Sequence, residues 1–206
     1  MGALGSVRTF STVRRLIPVL AAACVAAGCG AAPPVPIPSA NPSPSSSPTT
    51  IAPGVQVPPA DVRTPAYTVS TTHPLPSGVS AATVAQDVVI DNLIENIAIE
   101  RGDPALLAYA DCGNWLAAEQ QEISRDQTSA VKVLSVTDRL NGVSVGYQSD
   151  PANSTVVAAA VVTGVETRTT KPTGSPEKTS QTPFRAILWF AWSASAGRYL
   201  ICDAGN

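Results

Sequence analysis

Four cysteines, at positions 24, 29, 112 and 202, are the side chains of this chain best suited to covalent chemistry. No two of them stand in C-x-x-C spacing, the arrangement that lowers a thiol pKa for redox work, so thiol–disulfide catalysis is not expected. The single histidine, His73, sits beside Pro74 in a proline-rich stretch and reads as a solvated loop residue. No histidine follows it, which rules out Ser-His-Asp and Cys-His arrangements in the rest of the chain and removes most zinc sites. The sequence also lacks G-x-x-x-x-G-K-[ST], a G-x-G-x-x-G after a strand, and S-x-x-K. Neither a metal nor a cofactor is expected.

Two other groups of residues have the types for a site. Asp87, Asp91, Glu95 and Glu100 share one helical stretch, and their spacing spreads them over its polar side. They read as a solvated face rather than a catalytic carboxylate pair. Trp115, Tyr147, Trp189 and Trp192 are large aromatics that can line a pocket or mark a partner surface. Trp189 and Trp192 differ by three, so in a regular strand they face opposite sides. Core packing of both is the plainer reading; one left exposed would mark a surface.

These residues must be positioned by a chain of 206 residues, 44% hydrophobic and 14% charged. The 13 basic and 15 acidic residues are unevenly placed: Arg8, Arg14 and Arg15 precede residue 29, and no acidic residue does. The remainder is mildly acidic with no basic stripe, which excludes a nucleic-acid binder. The same arginines form the positive region of a signal peptide over residues 1–28, with LIPVLAAACVAAG as its apolar region. That run is marginal for a membrane span. Export through either the general or the twin-arginine route fits the Arg14-Arg15 pair.

At its end stands VAAGCGAAPPVP, residues 25–36, where an apolar run stops at a cysteine and a proline-rich stretch begins. Ala26-Ala27-Gly28-Cys29 resembles the lipobox of bacterial lipoproteins, although Val25 stands one place earlier than the branched residue usual there. The resemblance implies a diacylglycerol on the Cys29 thiol and cleavage just before it. More than one acyl chain would hold the protein stably on a membrane. With Cys24 removed and Cys29 lipidated, Cys112 and Cys202 remain as the expected disulfide of an oxidising compartment.

Residues 29–76 hold most of the 19 prolines with many Ser and Thr, and read as a disordered tether with polyproline II character. The globular domain is expected over residues 77–206. Ser80 caps a helix to about Arg101; Ile90, Leu93, Ile94 and Ile97 form one stripe, and Val84 and Val88 point to a second surface. Asp103-Pro104 opens a short helix, and Asn114 caps a third. Strands follow at 131–138, 143–149, 155–168, 184–193 and 197–203, with a hairpin at Asn141-Gly142, a bulge or bend at Gly164 and a mobile loop over 169–183.

The expected class is therefore α+β, N-terminal helices packed on a curved antiparallel sheet of four to five strands. This order resembles the NTF2-like or cystatin-like cone, and with the lipobox the whole resembles an actinobacterial, mycobacterial-type lipoprotein. The resemblance implies a lipid-anchored head on the extracytoplasmic face of the cell membrane that binds an envelope partner. It leaves two alternatives: a carrier of a small apolar ligand or lipid in the cone, and an isomerase or cyclase with Asp111, Tyr109 and Tyr147 in acid–base roles. The non-enzymatic reading is preferred because the histidine common in such enzymes is missing.

Overall fold

The computed structural model describes residues 49–150 and 152–205; the expected signal segment, Cys24, Cys29 and the expected tether as far as residue 48 lie outside them. The folded part starts well before residue 77. Strand β1 (Thr49–Ala52) and strand β2 (Val55–Val57) pair antiparallel, a 3-10 turn covers Pro59–Val62, and strand β3 (Tyr67–Val69) follows. Ala52, Val55, Val57 and Val62 are buried. The expectation of a tether to residue 76 is corrected for a clear reason. Pro53-Gly54 is a turn pair, with Gly54 at φ 71°, and it leaves the apolar residues on either side free to bury.

Helix α1 (Ala81–Arg101) begins where Ser80 accepts a hydrogen bond from the Thr83 N–H at 3.3 Å. It ends at Gly102, whose φ of 62° is the left-handed conformation that lets its N–H turn back to the last carbonyls. A 3-10 helix spans Pro104–Tyr109, with the Asp103 carboxylate accepting from the Ala105 N–H. Helix α2 (Gly113–Thr128) follows directly on Cys112.

Four long strands complete the chain: β4 (Val131–Gly146), β5 (Ala158–Pro172), β6 (Lys178–Ser193) and β7 (Arg198–Gly205). The sheet order is β3-β4-β5-β6-β7. Its last four strands are antiparallel, but β3 runs parallel to β4, pairing Tyr67 with Val143 and Val69 with Val145. The sheet is thus mixed, and the expectation of an all-antiparallel sheet is corrected by the strand hidden in the presumed tether.

Two further expectations are overturned. Asn141-Gly142 makes no hairpin; β4 runs straight through it, with a register shift between Leu140 and Gly142 that leaves Asn141 as the extra residue of a bulge. Gly142 is not in the positive-φ conformation that a two-residue hairpin turn demands. The bulge also lies on β4, opposite Gly164, not at Gly164 itself. Gly164 serves a close approach: a Cβ there would stand 2.7 Å from the Arg139 carbonyl oxygen and from the Phe184 ring. The supposed mobile loop is mostly strand, since Thr169 pairs with Thr179 and Thr170 with Lys178. Thr169, Thr170, Thr179 and Thr182 favour strand here through β-branching despite low hydrophobicity.

Helix α1 does touch two surfaces. Val84, Ala85 and Val88 pack with Val145, Ala160, Val162, Leu188, Phe190 and Ile201 of the sheet. Ile94, Ala98 and Ile99 belong to a second cluster with Val57, Val62, Leu106, Leu107, Ile123 and Val136. Because apolar contacts surround it, α1 has no broad face left for water.

Candidate functional site

That burial decides where the α1 carboxylates go. Asp87, Asp91 and Glu95 recur every four residues and so line one face, but the face meets β7 and α2 instead of solvent. They are 4%, 0% and 2% exposed, which corrects the reading of a solvated face. Each finds a partner in a different place. Asp87 accepts from the Tyr199 backbone N–H at 2.9 Å. Asp91 accepts from the Arg198 guanidinium, which also donates to the Tyr109 carbonyl. Glu95 accepts from the indole N–H of Trp115 at 2.9 Å. Glu100, by contrast, is exposed yet accepts from the Val136 N–H at 2.7 Å, closing a part of the β4 edge that β3 does not reach.

Asp111 joins this layer from the segment between the 3-10 helix and α2. It is buried, and the chain around it is fixed by Cys112 N–H to Ile201 carbonyl at 2.7 Å and Ile201 N–H to Ala110 carbonyl at 3.0 Å. The disulfide between Cys112 and Cys202 ties the same segment to β7 covalently. Burial pushes the Asp111 carboxyl well above the ordinary carboxylate range, and the nearby charges of Glu95, Glu119 and Asp91 push the same way. Burial also raises Asp91 well above its usual value, against the opposing pull of Arg198. Asp87 is raised by burial too, and the Tyr199 N–H and Arg198 offset part of that.

The cleft between α1 and the sheet is narrow. Lined by Val88, Asn92, Glu95, Phe184, Leu188 and Ile201 among others, it has a cavity volume of about 10 Å³. That is room for about one water. Asp111, Tyr109 and Tyr147 do not line it. Asp111 is buried while Tyr109 and Tyr147 are exposed, so the three do not converge as the isomerase alternative requires.

The remaining aromatic candidates separate. Trp115 is core, held to Glu95. Trp189 is half-buried, its ring against Gly205. Trp192 is 54% exposed at the end of β6 and meets Tyr199 edge-to-face, with ring centroids 5.1 Å apart. Arg198 and Tyr199, adjacent on β7, therefore link the buried Asp91 and Asp87 to the exposed Tyr109 and Trp192. Sequence reasoning missed this layer. The available signal was that α1 carries apolar residues on more than one side of its carboxylates.

Among the described residues, no three His, Cys, Asp or Glu side chains are grouped to hold a metal ion, and no helix is long and apolar enough to cross a membrane. No protein-family profile matches the sequence, and no curated protein matches it. Among solved structures, the chain is similar to the crystal structure of the intermembrane space region of chloroplast protein ARC6. The two are 17% identical with a TM-score of 0.48, over 62% of this chain and 95% of that one.

Proposed function

We propose that this protein is an extracytoplasmic lipoprotein, anchored through acyl chains on Cys29, whose disulfide-bonded head binds a partner in the cell envelope. The head is read as a filled relative of the NTF2-like or cystatin-like cone. The observation that carries the binding reading is an exposed aromatic beside a narrow interior: Trp192 stands 54% exposed, while the cleft between α1 and the sheet has a cavity volume of about 10 Å³. A carrier needs space for its ligand and an isomerase needs space for its substrate. An exposed tryptophan braced edge-to-face by Tyr199 is the kind of side chain that anchors a protein interface.

The test has two arms. Intact mass of the mature protein, extracted from membranes without reductant, should correspond to a chain starting at Cys29 with acyl chains added and two hydrogens missing. A mass lacking lipid, or retaining residues 1–28, overturns the anchor. A photo-crosslinking residue at position 192, in cells, should capture a discrete envelope protein, and the same residue at Thr179 should not. Saturable uptake of an apolar fluorescent probe into the purified head, with no crosslink from position 192, would favour the carrier instead.

A further inference from the structure

Asp111 is left with a chemical problem. Its side chain is 1% exposed, and neither of its oxygens accepts a bond from any N–H or O–H among the described residues. The group that faces it is Glu95, another carboxyl. Two carboxylates have no hydrogen to share and repel each other; with one proton between them, one becomes a donor. The surroundings leave little other relief. Asp87 and Asp91 lie on the same helix, Glu119 faces in from α2, and Arg198 of β7 is committed to Asp91 and the Tyr109 carbonyl. The segment cannot swing to water, because its backbone is bonded to β7 on both sides of Asp111.

We infer that Glu95 and Asp111 share one proton in the folded protein, and that this proton latches residues 110–112 and β7 onto α1, making the junction sensitive to pH. The direction is set by burial, which lifts the Asp111 carboxyl well above its usual range. In the unfolded chain the same carboxyl loses its proton near pH 4. The folded state therefore holds an extra proton above that pH. Its stabilisation is complete below the unfolded value and is lost as pH rises through the raised folded value. Asp87 and Asp91, raised for the same reason, act in the same direction. The adjoining Cys112–Cys202 disulfide keeps the two segments from parting when the proton leaves, so the latch opens reversibly. The inference stands whether or not the Trp192 face binds a partner.

Asp111→Asn tests it, because the new amide donates permanently to Glu95. Thermal unfolding of the mature chain should show the wild type losing at least about 3 °C between pH 5 and pH 8. The variant should lose less, and at pH 8 it should melt above the wild type. Infrared spectra at pH 7 should show the carbonyl stretch of a protonated carboxyl in the wild type, weaker in the variant. Equal pH slopes in the two proteins, or no protonated-carboxyl band in the wild type at pH 7, overturns the shared proton. Should Asp111→Asn fail to fold, Glu95→Gln places a donor on the other side of the pair and carries the same expectations; if neither folds, absence of the wild-type band still overturns the shared proton.

Discussion

Arg198 is the side chain on which the carboxyl layer turns, since it supplies the positive charge that Asp91 meets inside the protein. Arg198→Ala should cost about 3 kcal/mol, the low end for breaking a buried pair, because Asp91 can take up a proton in compensation. Urea denaturation at pH 5 and pH 8 checks this, and the loss should be larger at pH 8, where holding that proton is harder. Trp192→Ala acts through Tyr199, the neighbour of Arg198 on β7. It should change stability by no more than about 1 kcal/mol, from the lost contact with Tyr199, while the envelope protein captured from position 192 should no longer co-purify with the head. Little of this was legible in the sequence. The carboxylates of α1 have the spacing of a polar stripe, and a stripe looks the same whether water or another strand lies opposite. Only the placement of β7 and α2, which depends on long-range pairing, turns it inward. The cysteine pair was easier, because elimination needed no geometry.

At the scale of elements, the helices and their caps follow from local chemistry. Ser80, Gly102 and Asp103-Pro104 each act within one turn of the chain, and α1 starts and stops where they require. Strand pairing is different. Asn141-Gly142 satisfies every local condition for a hairpin, yet the long register of β4 against β5 absorbs it as a bulge. Gly164 opposite it carries a testable demand. Gly164→Ala should lower stability by about 1–3 kcal/mol, because the added methyl meets a backbone carbonyl that cannot step aside. Cys202→Ser should lower it by about 4–5 kcal/mol in the chain-entropy account, given a sequence separation of 90 between the bridged cysteines. Thermal melting with and without reductant measures the second effect.

For the whole molecule, the boundary of the folded unit is the main departure from the sequence reading. Proline content hid three short strands, because composition averages over turns and the apolar residues between them. Deleting residues 30–48 should leave cooperative unfolding intact. Extending the deletion to residue 70 should abolish it or lower the melting temperature steeply, since it strips Ala52, Val55, Val57 and Val62 from the second core cluster. Circular dichroism melts of the two truncations separate these outcomes.

The same amino-terminal ribbon gives the molecule a mechanical character. Tension applied at the amino end enters at Thr49, which pairs with Val57 in a ribbon of only three paired positions. Loaded from one end, such a ribbon opens one rung at a time, and the three-residue contact of β3 with β4 lies next along the chain. The segment closed by Cys112 and Cys202 stays bridged throughout. A head pulled between its amino end and its Trp192 face would give first at this ribbon, and because the ribbon carries Ala52, Val55 and Val57, each opened rung would loosen the second core cluster while the disulfide still holds the first.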